Sequence, residues 1–397
     1  MTIQQKVLFV GAGPSQVSAI KHALSLGYES YAIDANPNAL GFKYAVGFDI
    51  GDIRDSEFIK VCAKRYNVNA IVAVATDAAV PSVARACLSL GLPSISVSAA
   101  DISVNKLMQR NHFKAAGLCT PKYMSFQNAN KAQEIAVEIG FPVVIKPIDS
   151  AGSRGVSLVE NRRDIILASE NALAVSRSKI GIVEEYIHGA EVSVEGFVAH
   201  GLFHAICLSE KQRTSPPHLL DTKVYFPDSL TLKERELIIN EASKAVAACG
   251  LDNCPVHMEL IRSNQGPVVV ELAARGAGFR VFTDILPHVT GVDTVDIQLR
   301  LAIGKKVEVL VQKPLRGAAI IFFSPMPGKL KSIEGLDLAR KVEGIQEVEV
   351  YIEANTIMGE LKCGADRIGH LIAFGESRQE AEMRSKQALS LIKFRLE

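Results

Sequence analysis

The sequence predicts an α/β front unit built on a parallel sheet, followed by an α+β body. Three observations carry this. Apolar strand-like runs alternate with helical patterns through the first hundred residues. From about residue 182 the text becomes strand-rich and holds one strong hairpin signal. At ~150 residues per domain, 397 residues make two or three domains.

The elements follow in order. Lys6 to Val10 is a short apolar run ending in Gly11-Ala12-Gly13, and Pro14 fits the first turn of a helix. Val17, Ile20, Ala23 and Leu24 recur at helical spacing until Gly27. Residues 31–34 and 70–75 are the next strands; Thr76-Asp77 and a helix to about Leu90 come after the second. Near Asp101 the pattern changes. A helix over 105–116 carries Lys106 and ends at Gly117, and another over 129–139 ends at Gly140. FPVVIKPIDSAGSRGVSLV reads as a strand, a loop of small residues and a strand. VEEY, EVSVEGFVA and LFHAICLSE read as strands, and a helix covers 232–249. Strands at 256–261 and 267–272 flank the turn Asn264-Gln265-Gly266. The last ninety residues hold strands at 318–323, 348–352 and 370–373 and a closing amphipathic helix over 378–394. There is no internal repeat.

Composition excludes several classes. Hydrophobic residues are 48% and charged residues 22%, too apolar for disorder. Lys plus Arg is 44 against 43 Asp plus Glu, a net charge of +1 that gives no support to nucleic-acid or membrane-surface binding. No apolar run approaches the ~18 residues of a membrane span. The first residues read directly into a strand and lack the features of a signal peptide. The seven cysteines are scattered with no CxxC, which suggests thiols in a reducing cytosol and a cytoplasmic location.

Four groups of residues carry chemistry. Gly11-Ala12-Gly13 with Asp34 resembles half of a dinucleotide fingerprint, but Gln16 stands where a small residue is wanted. The alternatives are a plain sheet turn or a helix N-terminus offering N–H groups to an anion. Lys146 leaves an apolar strand beside Ser150, Gly152, Ser153, Gly155 and Val156. An ammonium and glycine-lined backbone amides suit a polyphosphate, though the loop is not a Walker motif and could be a simple hairpin. Glu184, Glu185, Tyr186, Ile187 and Glu191 end or follow a strand, where carboxylates accept from adenine or ribose or stand as solvated charge. Glu259 and Glu271 lie in apolar runs on the two hairpin strands, where they repel unless a hard cation such as Mg²⁺ neutralises them. Arg275, four residues on, suits a phosphate or a substrate carboxylate, or else a buried Glu–Arg salt bridge.

In this order the four groups resemble the ATP-grasp superfamily of carboxylate–amine ligases, over nearly the whole chain. The segment RGAAIIFFSPMPGKL to DRIGHLIAFGESRQEA looks like the biotin-carboxylase-like end of the bacterial L-amino-acid ligase branch, and phosphoribosylamine–glycine ligases are similar here. The resemblance implies a Rossmann-like front domain over 1–104. Linker helices and a mobile lid subdomain with its Gly-rich loop follow over 105–195. A catalytic core with a biotin-carboxylase-like C-terminal subdomain then covers 196–397. It implies ATP phosphates on Lys106 and Lys146 and a closing lid over 150–156. Glu184 and Tyr186 would sit at the adenine and Glu191 on the ribose. It puts Mg²⁺ (or Mn²⁺) on Glu259 and Glu271, an acyl phosphate on Arg275 and His257 on the substrate side. Most members have Asn where this chain has Ala273, so one metal ligand is missing. The activity implied is ATP-dependent amide formation through an acyl phosphate, with small carboxylate and amine substrates. Neither nucleic acid nor membrane is expected as a partner, and related ligases are often homodimers. A purine-type ligase acting on a phosphoribosyl amine is the first alternative. A nucleotide binder without turnover and a nicotinamide dehydrogenase are the others. Lys211 and Arg213, in the basic segment after residue 210, are candidates for contact with an anionic substrate or else ordinary surface charge on an exposed loop.

Overall fold

The computed structural model describes residues 4–310 and 313–397. The front unit is the expected parallel sheet, with one edge strand at 47–50 that the sequence reading did not place. Strands β1 (Lys6–Val10), β2 (Glu29–Asp34), β3 (Gly47–Ile50) and β4 (Ala70–Val72) lie in the order β3-β2-β1-β4. The central strand has Val7 to Val10 fully buried, as a sheet covered by helices on both faces requires. The run at 70–75 stays in the sheet only as far as Val72; beyond it the chain turns away, with Ala75 in the left-handed region (φ 52°).

A second, antiparallel sheet forms the lid unit: β5 (Tyr123–Phe126), β6 (Val143–Pro147), β7 (Ser157–Val159) and β8 (Gly181–Glu185), in the order β5-β8-β6-β7. Two helices, Ala129–Ile139 and Ile165–Val175, cover it, and Phe126, Ile135, Val143, Ile145 and Ala172 give it an apolar core of its own.

The body is one eight-stranded antiparallel sheet. It comprises β9 (Ala190–Ala199), β10 (Leu202–Arg213), β11 (Asp221–Phe226), β12 (Cys254–Ser263), β13 (Gly266–Ala273), β14 (Gly317–Phe323), β16 (Ile345–Val350) and β18 (Gly369–Gly375), in the order β13-β12-β9-β10-β11-β14-β18-β16. Small strands β15 (Gly328–Glu334), β17 (Ile357–Met358) and β19 (Lys393–Leu396) form a side sheet. Two sequence expectations move. The strand expected at 348–352 is Ile345–Val350, because its partner β18 places Val348 opposite Leu371 and ends the ladder at Val350. The closing helix stops at Leu391, and Phe394 belongs to β19, paired with β15. Its apolar side chain fits helical spacing but is used in a strand. No helix among the described residues is long and apolar enough to cross a membrane.

Candidate active site

The site forms where the lid sheet, the edge of the eight-stranded sheet and the helix Lys106–Ala115 converge. That helix is capped by Asn105, whose side chain accepts from the amide of Met108 (3.1 Å). Lys106, Gln109 and Arg110 fall on one helical face and are all buried. Lys106 Nζ donates to the carbonyl of Ser150 (2.7 Å) and to Glu271 (2.8 Å).

One cavity lies under the lid. Lys106, Ser150, Ser153 and Val156 line it, with Lys146 at the end of β6. Glu185, Tyr186, Ile187 and Glu191 line its other side, and Val144, Ile261 and Val269 complete apolar walls suited to a planar ring. Gly152 lies outside this lining, on a second cavity. Gly155 has φ +73°, and a Cβ there would meet Ala172, Pro147 and Val175, so it serves as the turn of the lid loop.

Two of the expected ligand residues have charged partners within the protein. Glu184 is not a free acceptor for adenine. It is buried, ion-paired to Lys146 (2.8 Å), and accepts from Arg110 Nη2 (3.1 Å). Burial would raise its pKa, but the two cations overcome this and hold it at about 2. Glu191 reaches the cavity wall, yet its oxygens accept from Lys211 (2.9 Å) and Arg213 (2.6 Å). A ribose hydroxyl would have to compete with two cations. Alternation on β9 puts Glu191, Ser193 and Glu195 on one face, opposite Ile261, Glu259 and His257 of β12.

Glu259 and Glu271 are direct cross-strand neighbours on β12 and β13. Lys106 answers Glu271, and Lys211 answers Glu259 while also reaching Asp221 (3.2 Å). The side chains of Glu259 and Glu271 stay 25% and 29% exposed on a common wall, and facing carboxylates of this kind suit a hard divalent cation. Ala273, opposite His257, is buried and brings no donor.

The second cavity lies across that wall and shares Ser153, Asp221, Glu259 and Glu271 with the first. His257 lines it and pairs through Nδ1 with Glu195 Oε1 (2.7 Å). Burial would lower the imidazole pKa, but Glu195 raises it to about 9, so the ring is cationic at neutral pH. Arg275 also lines it. Its partner is Asp77 of the front unit, in a two-point ion pair (2.9 and 2.8 Å), rather than a glutamate of its own hairpin. Phe226, Phe279 and Phe322 add an apolar side. Arg367 stacks on Phe322 (3.6 Å), gives Nη2 to the carbonyl of Asp221 (2.8 Å), and keeps a buried Nε without a partner.

The residues missed by the sequence reading are Arg110, Asp77, Glu195, Asp221 and Arg367. Two carried a signal. Arg110 is one helical turn from Lys106, and Asp77 follows a parallel strand at its carboxyl end, where such sheets bind ligands. The glycine turn of the front unit is closed by its own chain. Asp34 accepts from the amides of Ala12 (2.8 Å) and Asn36 (2.8 Å), and Gln16 fills the crevice and donates to the carbonyl of Val74 (2.6 Å).

Comparison with known proteins adds the following. The profile of the ATP-grasp domain matches residues 139–284, and that of the L-amino acid ligase C-terminal domain 2 matches residues 320–397. Alanine–anticapsin ligase of Bacillus subtilis is 30% identical over 249 residues, covering 57% of this chain and 52% of that protein. A formate-dependent phosphoribosylglycinamide formyltransferase of Prochlorococcus marinus is 30% identical over 193 residues, covering 47% of this chain and 48% of its own. The chain thus spans about half the length of these curated relatives. The crystal structure of an L-amino acid ligase from Bacillus licheniformis superposes over the whole of both chains with a TM-score of 0.85 at 19% identity, which shows a shared fold.

Proposed function

We propose that this chain is an ADP-forming ligase joining a small carboxylate, by preference an amino acid, to an amine, in keeping with the ATP-grasp profile that matches residues 139–284 and the L-amino acid ligase C-terminal profile that matches residues 320–397. One observation carries the reading. A cavity suited to a nucleotide and a cavity lined by His257, Arg275 and Arg367 are divided by one wall that bears the paired carboxylates Glu259 and Glu271. Phosphoryl transfer from one side to the other needs that arrangement.

The chemistry runs in two steps. An oxygen of the substrate carboxylate attacks the γ-phosphorus, the bond to the bridging oxygen breaks, and ADP leaves. The amine nitrogen then attacks the acyl carbon, the carbon–oxygen bond to phosphate breaks, and inorganic phosphate departs with the bonding electrons. The protons shed by the ammonium pass to phosphate and water. Lys106 and Lys146 neutralise nucleotide phosphates, and the lid loop over 150–156 excludes water from the acyl phosphate. Tyr186 and Ile187 frame the base. Arg275, held by Asp77, faces the transferring group, and cationic His257 and Arg367 orient the acid. Glu259 and Glu271 would hold Mg²⁺, or Mn²⁺ in its place, which supplies charge neutralisation at the phosphates when bound.

The identity shared with the formyltransferase favours one second reading, an anionic phosphoribosyl amine as substrate. ADP release with Mg²⁺-ATP against amino acids, singly and in pairs, and against phosphoribosyl amines decides between them, with products read by mass spectrometry. A product lighter than an amino-acid pair by one water supports the first reading. Silence across every acceptor, with ATP still bound, leaves only a nucleotide binder. Glu271→Gln is expected to lower ADP formation about a hundredfold or more with the protein still folded. A variant retaining most of its activity overturns the metal assignment. Lys146→Ala is expected to raise the nucleotide Kd by about tenfold or more in calorimetry. Unchanged affinity would place the phosphates elsewhere.

A further inference from the structure

Three cavities meet at Glu271, and the proposed reading uses two of them. The third opens between the front unit and the lid. Asp52 and Arg54 come from the loop after β3 and Asp77 from the turn after β4. Asp149 and Arg154 come from the lid loop, and Arg177 lies just beyond the lid helix Ile165–Val175. A carboxylate–amine ligase must bring three ligands together, and Glu271 borders all three cavities.

The charges in this cavity show what remains to be satisfied. Its acids are engaged by the protein itself. Asp52 takes Arg54 (2.9 and 2.7 Å), Asp77 takes Arg275, and Glu271 takes Lys106. Asp149 accepts from the Ser176 hydroxyl (2.9 Å) and from the amides of Arg177 (3.3 Å) and Ser178 (2.9 Å). Among the cations, Arg54 is fixed on Asp52. Among the described residues Arg154 gives only Nε, to the carbonyl of Ala151 (3.1 Å), and the side chain of Arg177, on the same cavity, makes no hydrogen bond. Two guanidinium groups with open donors therefore stand in the same cavity as the carboxylate that borders the reacting centre.

We infer that this third cavity receives the amine substrate, and that the amine carries an anionic group. The anion lies between Arg154 and Arg177, and the nitrogen points to Glu271, where the acyl phosphate forms. A guanidinium fork matches a carboxylate or a phosphate in geometry and charge. An amino acid with a free carboxylate and a phosphoribosyl amine share this chemistry. The inference rests on the ligase reading above. It also gives Arg154 of the lid loop a task, since the lid would then close over the acceptor as well as the nucleotide.

The test measures ADP release with the twenty amino acids and with their carboxamides as acceptors, and with ribose 5-phosphate as a competitor. It uses the full chain and the variants Arg154→Ala, Arg177→Ala and Arg177→Lys. Both arginines are exposed, so their removal leaves the core intact. The expected result is an acceptor KM about tenfold higher in each alanine variant, partly restored in Arg177→Lys, with the KM of ATP and of the acid within about twofold in Arg177→Ala, which lies outside the lid loop. In the unsubstituted protein a carboxamide should show the same rise, and Arg177→Ala should be less sensitive to that change. Competition by ribose 5-phosphate that is lost in Arg177→Ala identifies a phosphorylated amine as the natural ligand. An unchanged acceptor KM with ADP release intact overturns this inference alone. No ADP release with any acceptor overturns the ligase reading, and the inference with it.

Discussion

Glu184 shows how a single side chain changes role once its neighbours are known. From the sequence it is a carboxylate at a strand end. In the fold it is the buried anion that locks Lys146 of the lid to Arg110 of the helix Lys106–Ala115. Its pKa falls from the ordinary 4.5 to about 2. A depressed carboxylate contributes stability that is present above pH 4.5 and is lost as pH falls toward 2. At 1.36 kcal/mol per unit this is ~3 kcal/mol. Glu184→Gln is expected to begin ~3 kcal/mol less stable at neutral pH, because it strands two buried cations. It should also lose part of the acid slope. Urea midpoints measured from pH 6 down to 3 check this, and an acid slope equal to that of the parent protein would show that the clamp does not titrate as described.

The helix Lys106–Ala115 does more than present Lys106. It lies along β13, the edge strand of the eight-stranded sheet. Gln109 donates to the carbonyl of Leu272 (2.7 Å) and accepts from its amide (3.1 Å), and Arg110 donates to the carbonyls of Val269 (3.1 Å) and Val270 (2.9 Å). Side chains thus continue the ladder that the missing neighbour strand would have made, which is one way to protect an edge. Gln109→Leu leaves the amide and carbonyl of Leu272 buried without partners, at a cost of about 2–4 kcal/mol. Because Leu272 follows Glu271, ADP formation should fall as well. Chemical denaturation and steady-state rates check the two effects, and a variant as stable as its parent would show that water satisfies the edge.

Across the whole molecule the eight-stranded sheet ties the chain together. β14 pairs with β11 on one side and β18 on the other, so the last eighty residues complete a sheet begun at residue 190. Arg378 of the closing helix donates to Glu210 on β10, across the same sheet. A chain ended at residue 310 would expose the full edge of β11, with Val224, Tyr225 and Phe226 uncovered. It is expected to lack a cooperative unfolding transition and to aggregate on expression. A soluble truncated chain with a sharp thermal transition would show that the C-terminal segment is a separate domain. The lid has an apolar core of its own, and charged contacts, Glu184 with Arg110 and Ser150 with Lys106, tie it to the helix Lys106–Ala115.

Local pattern alone was enough for three of the four strands of the front sheet, the hairpin that carries Glu259 and Glu271, the helix with Lys106, and the glycine-rich loop after Lys146. These depend on residues close in sequence, whose periodicity and turn chemistry act before any long-range contact forms. The partners of those residues were decided only by the tertiary structure. Arg275 meets Asp77 across 198 residues, Lys106 meets Glu271 across 165, and Lys211 gathers Glu191, Asp221 and Glu259 from three other strands. The end of the closing helix was decided there as well, because β15 offered the last residues a strand to pair with. The physical reason is common to all of these. A charge in a sequence has no partner until folding removes it from water, and which counter-charge then lies within hydrogen-bond reach depends on strand register and packing between units rather than on spacing along the chain.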